Sequence, residues 1–390
     1  MGSINQFGKL ENHAAKFLNV DHCFSFASGR MGFFAILKSL SKPPDSEIII
    51  PAFTCVVVPN AILYAGFKPV YSDISLFDFN IDPISVESLI NDNTIAIYVQ
   101  HTFGQSANIN KLKKIAEKYG LLVIEDVALS LGAKHERKYL GTIGDFGYFS
   151  MDRSKVINTG IGGLVCVNNP KYLDSFQSTA YNAKELPWII RKKIQFTFFL
   201  NTLFYHPKIY WIGKFLASIL NVVNFSFYLS DEPIHNSKGL GSLPYPYPAK
   251  FPHEMNLIAK TQFDRLELNL LSRKSKAIYY NNILKVYTSE YMQRETNIFL
   301  RYSFLVRNRE FWEERFSKVI DLSIWFKSIA SGKDDSLVDI GYVLGSCPNG
   351  EFATRHIFNL PTHGWIDEEK LGLLLNELYL SGDIILLGEF

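Results

Sequence analysis

From about residue 22 to 170, short apolar runs alternate with turns and amphipathic stretches. Glu47–Pro51 (EIIIP) predicts a buried strand, followed by a helical stretch that runs through Ala61 to Ala65. Lys68–Ile74 and Thr94–Val99 predict two more strands, Asn110–Tyr119 a charged amphipathic helix, and Leu121–Glu125 a further apolar strand. Strands alternating with helices at this spacing imply a mostly parallel sheet covered on both faces. Near Gly144–Val167 the spacing tightens, and GDFGYFS and GGLVCVN predict two consecutive strands. A long helical pattern then covers Met255–Val286, LRYSFLV predicts a strand, and Asp367–Leu380 a closing amphipathic helix.

The Pro- and Gly-rich stretch from Ser237 punctuates the chain. It divides a large domain, residues 1–240, from a smaller α+β domain, residues 241–390. Within the first lies an oddity. Leu186–Ser230 holds no acid, five basic side chains and twelve of the fifty-six aromatic rings. Its uncharged runs, twelve and sixteen residues, are shorter than the roughly 20 apolar residues that span a bilayer. Two readings stay open: helices packed on a core or dimer face, or an interfacial surface with Arg191, Lys192, Lys193, Lys208 and Lys214 toward anionic headgroups.

Charge changes the picture by exclusion. Forty Lys and Arg against thirty-eight Asp and Glu leave a formal net charge of +2, so no general field draws a polyanion and no nucleic-acid partner is expected. Cys23, Cys55, Cys166 and Cys347 lie far apart without metal-ligand spacing, so reduced thiols are expected and no metal. The first residues lack a secretory apolar core, and Gln6 breaks the myristoylation pattern that begins at Gly2, so a cytoplasmic protein is expected.

Open α/β sheets bind ligands at the carboxyl ends of their strands. Four such ends carry unusual residues: Ser28-Gly29-Arg30-Met31-Gly32, Pro51-Ala52-Phe53-Thr54-Cys55, Glu125-Asp126, and Ser150 through Lys155. A loop that opens into a helix N-terminus offers N–H groups to a phosphate. An acid at the end of a buried strand needs a cationic partner, and a sheltered lysine can serve as a Schiff base. Together these are the requirements of pyridoxal phosphate.

The same residues carry a resemblance to the DegT/DnrJ/StrS family of sugar aminotransferases, which share the aspartate aminotransferase fold. The family's strand PSFTF stands here as PAFTC. Its AI-x-x-x-G-x-x-P-V-x-x-D run is Ala61–Asp73, its VH-x-x-G-Q is Gln100–Gln105, its EDAA is Glu125–Ala128, and its FSF-x-x-x-K is Phe149–Lys155, followed by Gly162-Gly163. The resemblance implies that Lys155 forms the internal aldimine and moves the proton. It implies that Asp126 keeps the pyridine nitrogen protonated, that Ser150 binds phosphate, and that Gly29 and the amides of Arg30 and Met31 form the phosphate turn. A related branch carries His at the lysine position and dehydrates its substrate, so Lys155 implies transamination.

Three departures stand out. Cys55 occupies the position of the ring that stacks on the cofactor, so stacking is weaker or comes from another residue such as Phe53. Leu129 replaces a Gln or His. The family's Asn-x-Arg-Met stretch, which reaches the neighbouring subunit, aligns with Pro248–Phe251. His101 and His363 are substrate-contact candidates, each with a structural alternative. The implied function is transfer of an amino group, from glutamate, to a nucleotide-activated keto-sugar for a surface polysaccharide, by a homodimer. The alternatives are a lipid-linked or non-sugar ketone handled at the inner face of the membrane, and a non-catalytic membrane-associated protein.

Overall fold

The alternating pattern is realised as a seven-stranded mixed sheet. The structure is a computed structural model that describes residues 9–204, 243, 245–322, 324–333, 337–363 and 367–386. The boundary expected at residue 240 lies outside the described residues, as does most of the aromatic segment beyond residue 204.

Helix α1 (Lys9–Leu18) precedes strand β1 (Cys23–Phe26) and helix α2 (Gly29–Ser39). Then come β2 (Glu47–Pro51), β3 (Thr54–Cys55), α3 (Val57–Ala65), β4 (Lys68–Ser72), α4 (Pro83–Leu89), β5 (Thr94–Gln100), α5 (Ile109–Tyr119) and β6 (Leu122–Asp126). A small hairpin, β7 (Lys134–His135) and β8 (Lys138–Tyr139), leads to β9 (Phe146–Ser150) and β10 (Gly163–Val167). Helices α6 (Leu173–Asn182) and α7 (Trp188–Phe204) follow. The sheet order is β1-β10-β9-β6-β5-β2-β4. From β9 to β4 all neighbours are parallel, and β10 and β1 close one edge antiparallel.

Side chains alternate between two cores because successive strand residues face opposite sides. Ile48, Ile50, Ala96, Tyr98 and Ile124 join the core under α2, whereas Ile49, Ile97, Val99 and Val123 join the core under α5. This parity decides the direction of every residue at the strand ends. Glu125 follows Val123 toward the α5 side, and Asp126 follows Ile124 toward the α2 side.

The C-terminal part builds a three-stranded antiparallel sheet with β11 (Arg301–Val306) between β13 (Ile357–Pro361) and β14 (Ile384–Ile385). Its core gathers Tyr280, Tyr302, Trp312, Phe316, Phe358 and Leu375. The long helix expected over Met255–Val286 is two helices, Asn256–Asp264 and Leu266–Leu284, broken at Arg265. The break has a tertiary cause. The first helix packs against α1, the second against the closing helix Glu368–Ser381, and one straight rod does not serve both cores. Between β11 and β13, β12 (Ala330–Ser331) pairs in parallel with β3, so a segment of the second unit lies beside Thr54 and Cys55.

Candidate active site

The carboxyl end of the sheet assembles the expected residues from the backbone upward. Helix α2 starts at Gly29, capped by the Ser28 hydroxyl, which accepts from the Met31 amide at 3.3 Å. The opening amides of a helix lack intrahelical acceptors, and the cap takes up the one at Met31. Gly29 and Arg30 form the opening turn of the helix, where an anion is favoured. The Met31 side chain is wholly buried and its Sδ accepts from the Ala249 amide, so Met31 serves the frame of the turn and not its anion-facing part. Ala249 belongs to the segment Pro248–Phe251, which lies against the end of β1 through a bond from the Ala27 amide to the Ala249 carbonyl, and against the residues after α6 through a bond from the Lys250 amide to the Lys184 carbonyl.

Close approach is why glycine stands here. A Cβ on Gly29 would sit 3.1 Å from the Phe149 carbonyl oxygen and from Ser150 Cβ, and one on Gly163 would sit 2.4 Å from the Gly29 nitrogen. The start of α2, the end of β9 and the start of β10 thus meet in one small cradle that any larger side chain would fill. Ser150 closes it at the tip of β9.

Lys155 lies in the loop 151–162 between β9 and β10. Met151 ties that loop shut: its amide donates to the Gly162 carbonyl, and its own carbonyl accepts from the amide and hydroxyl of Thr159. Val156 and Ile157 are buried, which anchors the lysine's C-terminal side, and the Val156 carbonyl accepts from Asn269 at 2.8 Å. The sequence implied two strands and a turn; the turn is a closed loop that presents the amine.

Asp126 ends β6, buried, with Oδ1 accepting from the Ala128 amide at 2.8 Å and Oδ2 from the Tyr98 hydroxyl at 2.5 Å. Each carboxylate oxygen has two acceptor sites, so both retain capacity for a cationic donor. Convergence of the set is registered by Cys55. Burial raises the pKa of this thiol, Lys155 and Arg30 oppose the rise, and Asp126 adds to it. Three charged residues expected from sequence therefore act on the Cys55 thiol.

The histidines behave differently. His101 is fully buried on the α5 side, its Nε2 3.1 Å from Glu125 Oε2 and its Nδ1 accepting from the Ala107 amide. Both ring nitrogens are engaged, so the substrate role considered for His101 gives way to its structural alternative. His363 lies at the surface after β13. Desolvation by neighbouring atoms and the charges of Arg273, Arg301 and Lys276 lower its pKa to about 4, which keeps the imidazole neutral at pH 7. Arg273 links it to the lysine loop: its Nε donates to Asn269 and its guanidinium reaches Thr362 at 3.3 Å.

Phe53, considered as a stacking substitute, is fully buried among Phe79, Phe103 and Phe326 and presents no face to the site. The aromatic ring that does stand beside Lys155 is Trp325, with Nζ 5.1 Å from its centroid. Arg301 covers the ring at 4.5 Å, and Asn359 holds its backbone by two bonds, from the Trp325 amide and to its carbonyl. Sequence reasoning missed Trp325 because nothing local marks it.

This fold, with a lysine, an acid and a glycine-lined helix start at the carboxyl end of a seven-stranded mixed sheet, is that of the pyridoxal phosphate-dependent aminotransferases of the aspartate aminotransferase type. Within that class, residues 3–184 match the model of the DegT/DnrJ/EryC1/StrS aminotransferase family. The chain is 32% identical over 170 residues to a GDP-perosamine synthase of Caulobacter vibrioides, covering 43% of this chain and 46% of that protein. It is 32% identical over 178 residues to a UDP-2-acetamido-2-deoxy-3-oxo-D-glucuronate aminotransferase of Pseudomonas aeruginosa, 45% and 50% of the two chains. The chain thus matches about half the length of these curated relatives. Among solved structures, PseC of Helicobacter pylori, an aminotransferase of pseudoaminic acid biosynthesis, superposes with TM-score 0.69 over 97% of this chain and 93% of its own at 17% identity. An Escherichia coli GDP-4-keto-6-deoxy-D-mannose-3-dehydratase with bound hydrated pyridoxal phosphate gives 0.68 over 95% and 90%, also at 17%.

Proposed function

We propose that the protein is an aminotransferase that moves an amino group, from glutamate, to the carbonyl of a nucleotide-activated keto-sugar in surface-polysaccharide or amino-sugar biosynthesis. The observation that carries this reading is the convergence of Lys155, Asp126, Ser150 and the Gly29–Arg30 turn on one cradle, with Cys55 responding to three of their charges. Relatives named as perosamine synthase and as a sugar-glucuronate aminotransferase support a sugar as acceptor.

Pyridoxal phosphate, when bound, supplies an electron sink that stabilises negative charge at the carbon bearing the amino group. The Gly29–Arg30 turn at the start of α2 and the Ser150 hydroxyl would hold its phosphate. Asp126 is placed to keep its ring nitrogen protonated, a task for a carboxylate with capacity left on both oxygens. Lys155 Nζ is the group that takes a proton from the amine-bearing carbon and returns it on the other side of the transfer. Trp325, fixed by Asn359, shields the Lys155 amine from one side, and Arg301, still a cation at pH 7 although burial lowers its pKa to about 9, adds positive charge near an anionic substrate.

Glutamate added to the cofactor-loaded protein should bleach its visible band with release of 2-oxoglutarate, and a 4-keto nucleotide sugar should restore it. Bleaching without restoration by any keto-sugar would shift the acceptor to a non-sugar ketone, and no bleaching with any amino donor would defeat the reading.

The reading includes a homodimer and a cytoplasmic location. Exposed Leu257, Leu268 and Leu271 on neighbouring helices offer an apolar face that supports the dimer, and four free thiols suit a reducing compartment. Light scattering should give twice the chain mass. A second reading, a peripheral membrane contact that would suit a lipid-linked ketone, is favoured by Trp188, Ile189, Phe196 and Phe199, which stand exposed on α7 beside Lys192. No helix among the described residues is long and apolar enough to cross a membrane. Sedimentation with anionic vesicles tests the contact; recovery wholly in the supernatant would remove it.

A further inference from the structure

Behind Asp126 the α2-side core carries two hydroxyls where a core strand ordinarily carries none. Tyr98 on β5 and Tyr148 on β9 are both buried, one fully and one at 4% exposure. Their hydroxyl oxygens lie 2.5 Å apart, and the Tyr98 hydroxyl is 2.5 Å from Asp126 Oδ2. A phenol has one proton to give, and a carboxylate only accepts. The charged acceptor takes the Tyr98 proton, and Tyr98 in turn accepts from Tyr148. Burial and the charge of Asp126 push both phenols well above their ordinary pKa, so both remain protonated donors.

The pair is also held rigidly. Phe33 of α2 stacks on Tyr148 at 5.3 Å with an interplanar angle of 17° and tilts onto Tyr98 at 5.0 Å. The same helix opens with the Gly29–Arg30 turn, four residues earlier. One packed unit therefore sets both the helix start and the direction of the carboxylate.

We infer that Tyr98 and Tyr148 are positioning residues for the cofactor's ring nitrogen, acting through Asp126 as a two-hydroxyl relay that keeps the carboxylate aimed. The inference rests on the pyridoxal phosphate reading. Its consequence has a definite sign. With the Tyr98 hydroxyl removed, the Asp126 carboxylate loses a donor and becomes more basic, so a proton shared with the ring nitrogen shifts toward Asp126. The ring then withdraws less charge from the nitrogen linked to Lys155, and that nitrogen becomes more basic. The pH midpoint at which the cofactor's visible band interconverts should rise.

The test uses the cofactor-loaded protein and three near-isosteric variants, Tyr98→Phe, Tyr148→Phe and Asp126→Asn, read by the pH titration of the visible band and by the dissociation constant of pyridoxal phosphate. The midpoint should rise in all three, most in Asp126→Asn and least in Tyr148→Phe. Tyr98→Phe should bind the cofactor about tenfold more weakly, the scale of a lost hydrogen bond to a charged group. Thermal unfolding of the cofactor-free variants separates packing from positioning. Variants that lose stability but titrate as wild type, while Asp126→Asn shifts, would overturn the inference and leave the cofactor reading intact. If Tyr98→Phe does not fold, Tyr148→Phe decides by the same criterion. A wild type without a visible band would instead sink the reading beneath it.

Discussion

Glu125 and Asp126 are adjacent carboxylates on one strand, yet they live in opposite regions of the molecule. Glu125 points to the α5 side and is saturated: its two oxygens accept from the amides of Gly141, Ile143 and Gly144 and contact His101 at 3.1 Å. Asp126 points to the α2 side and receives one phenol and one amide, with capacity left over. The first arrangement consumes a charge to fix the β8–β9 connection. The second holds a charge ready for something else. Burial alone therefore does not mark a functional acid; the count of donors already facing it does.

That comparison can be broken in stages. Lys155→Ala should abolish turnover and the visible band together, while thermal unfolding of the cofactor-free protein shifts little, since the loop is closed by Met151, Thr159 and Val156 and not by the lysine amine. Asp126→Asn should weaken cofactor affinity by about 10- to 100-fold, from a lost charge-assisted contact, as read by a spectral titration. Glu125→Ala should do the reverse. It should cost roughly 3–5 kcal/mol of stability, the scale of removing one partner of a buried pair, in urea unfolding, with the folded fraction binding cofactor as wild type does.

Glu125 also leaves a signature in pH. Burial opposes the charge on Glu125, but His101 and the amides of Gly141 and Gly144 outweigh it and lower its pKa below the ordinary carboxylate value. A lowered folded pKa contributes stability that is present above the unfolded pKa and lost as pH falls through the folded one. Wild type should therefore lose stability below about pH 4.5, the ordinary carboxylate range, and Glu125→Ala should lose less over that interval. Equal acid slopes in the two proteins would contradict the saturated-acid description. The smallest effect is expected at Gly163→Ala. Its new Cβ, 2.4 Å from the Gly29 nitrogen, should cost about 1–3 kcal/mol by overpacking and weaken cofactor binding by misplacing the turn.

Much of the first half was legible in the chain. The strands Glu47–Pro51 and Thr94–Gln100 and the helix Ile109–Tyr119 follow from apolar periodicity, because each buries a face against a neighbour close in sequence. Asp126 and Ser150 end strands, where strand identity already fixes direction, and Lys155 lies in the loop that follows Ser150. The cap at Ser28 was not read from the sequence; it takes the Met31 amide that the resemblance gave to the phosphate.

What was not legible depends on pairings between distant segments. Trp325 reaches Lys155 because Asn359 holds it and the neighbouring β12 pairs with β3, contacts separated by tens to hundreds of residues. Tyr98 and Tyr148 read as ordinary β-strand aromatics until β5, β6 and β9 lie side by side and their hydroxyls meet Asp126. The roles considered for His101 and Phe53 failed on parity and packing: the first faces the α5 side, and the second is enclosed by three other phenylalanines.

The central claim is that Lys155 and the cradle around it hold pyridoxal phosphate. Borohydride reduction of the cofactor-loaded protein, digestion and mass spectrometry test it directly. A single pyridoxyl-modified peptide is expected, carrying the label on Lys155 and absent from Lys155→Ala. A label on another lysine, or none in the wild type, would contradict it.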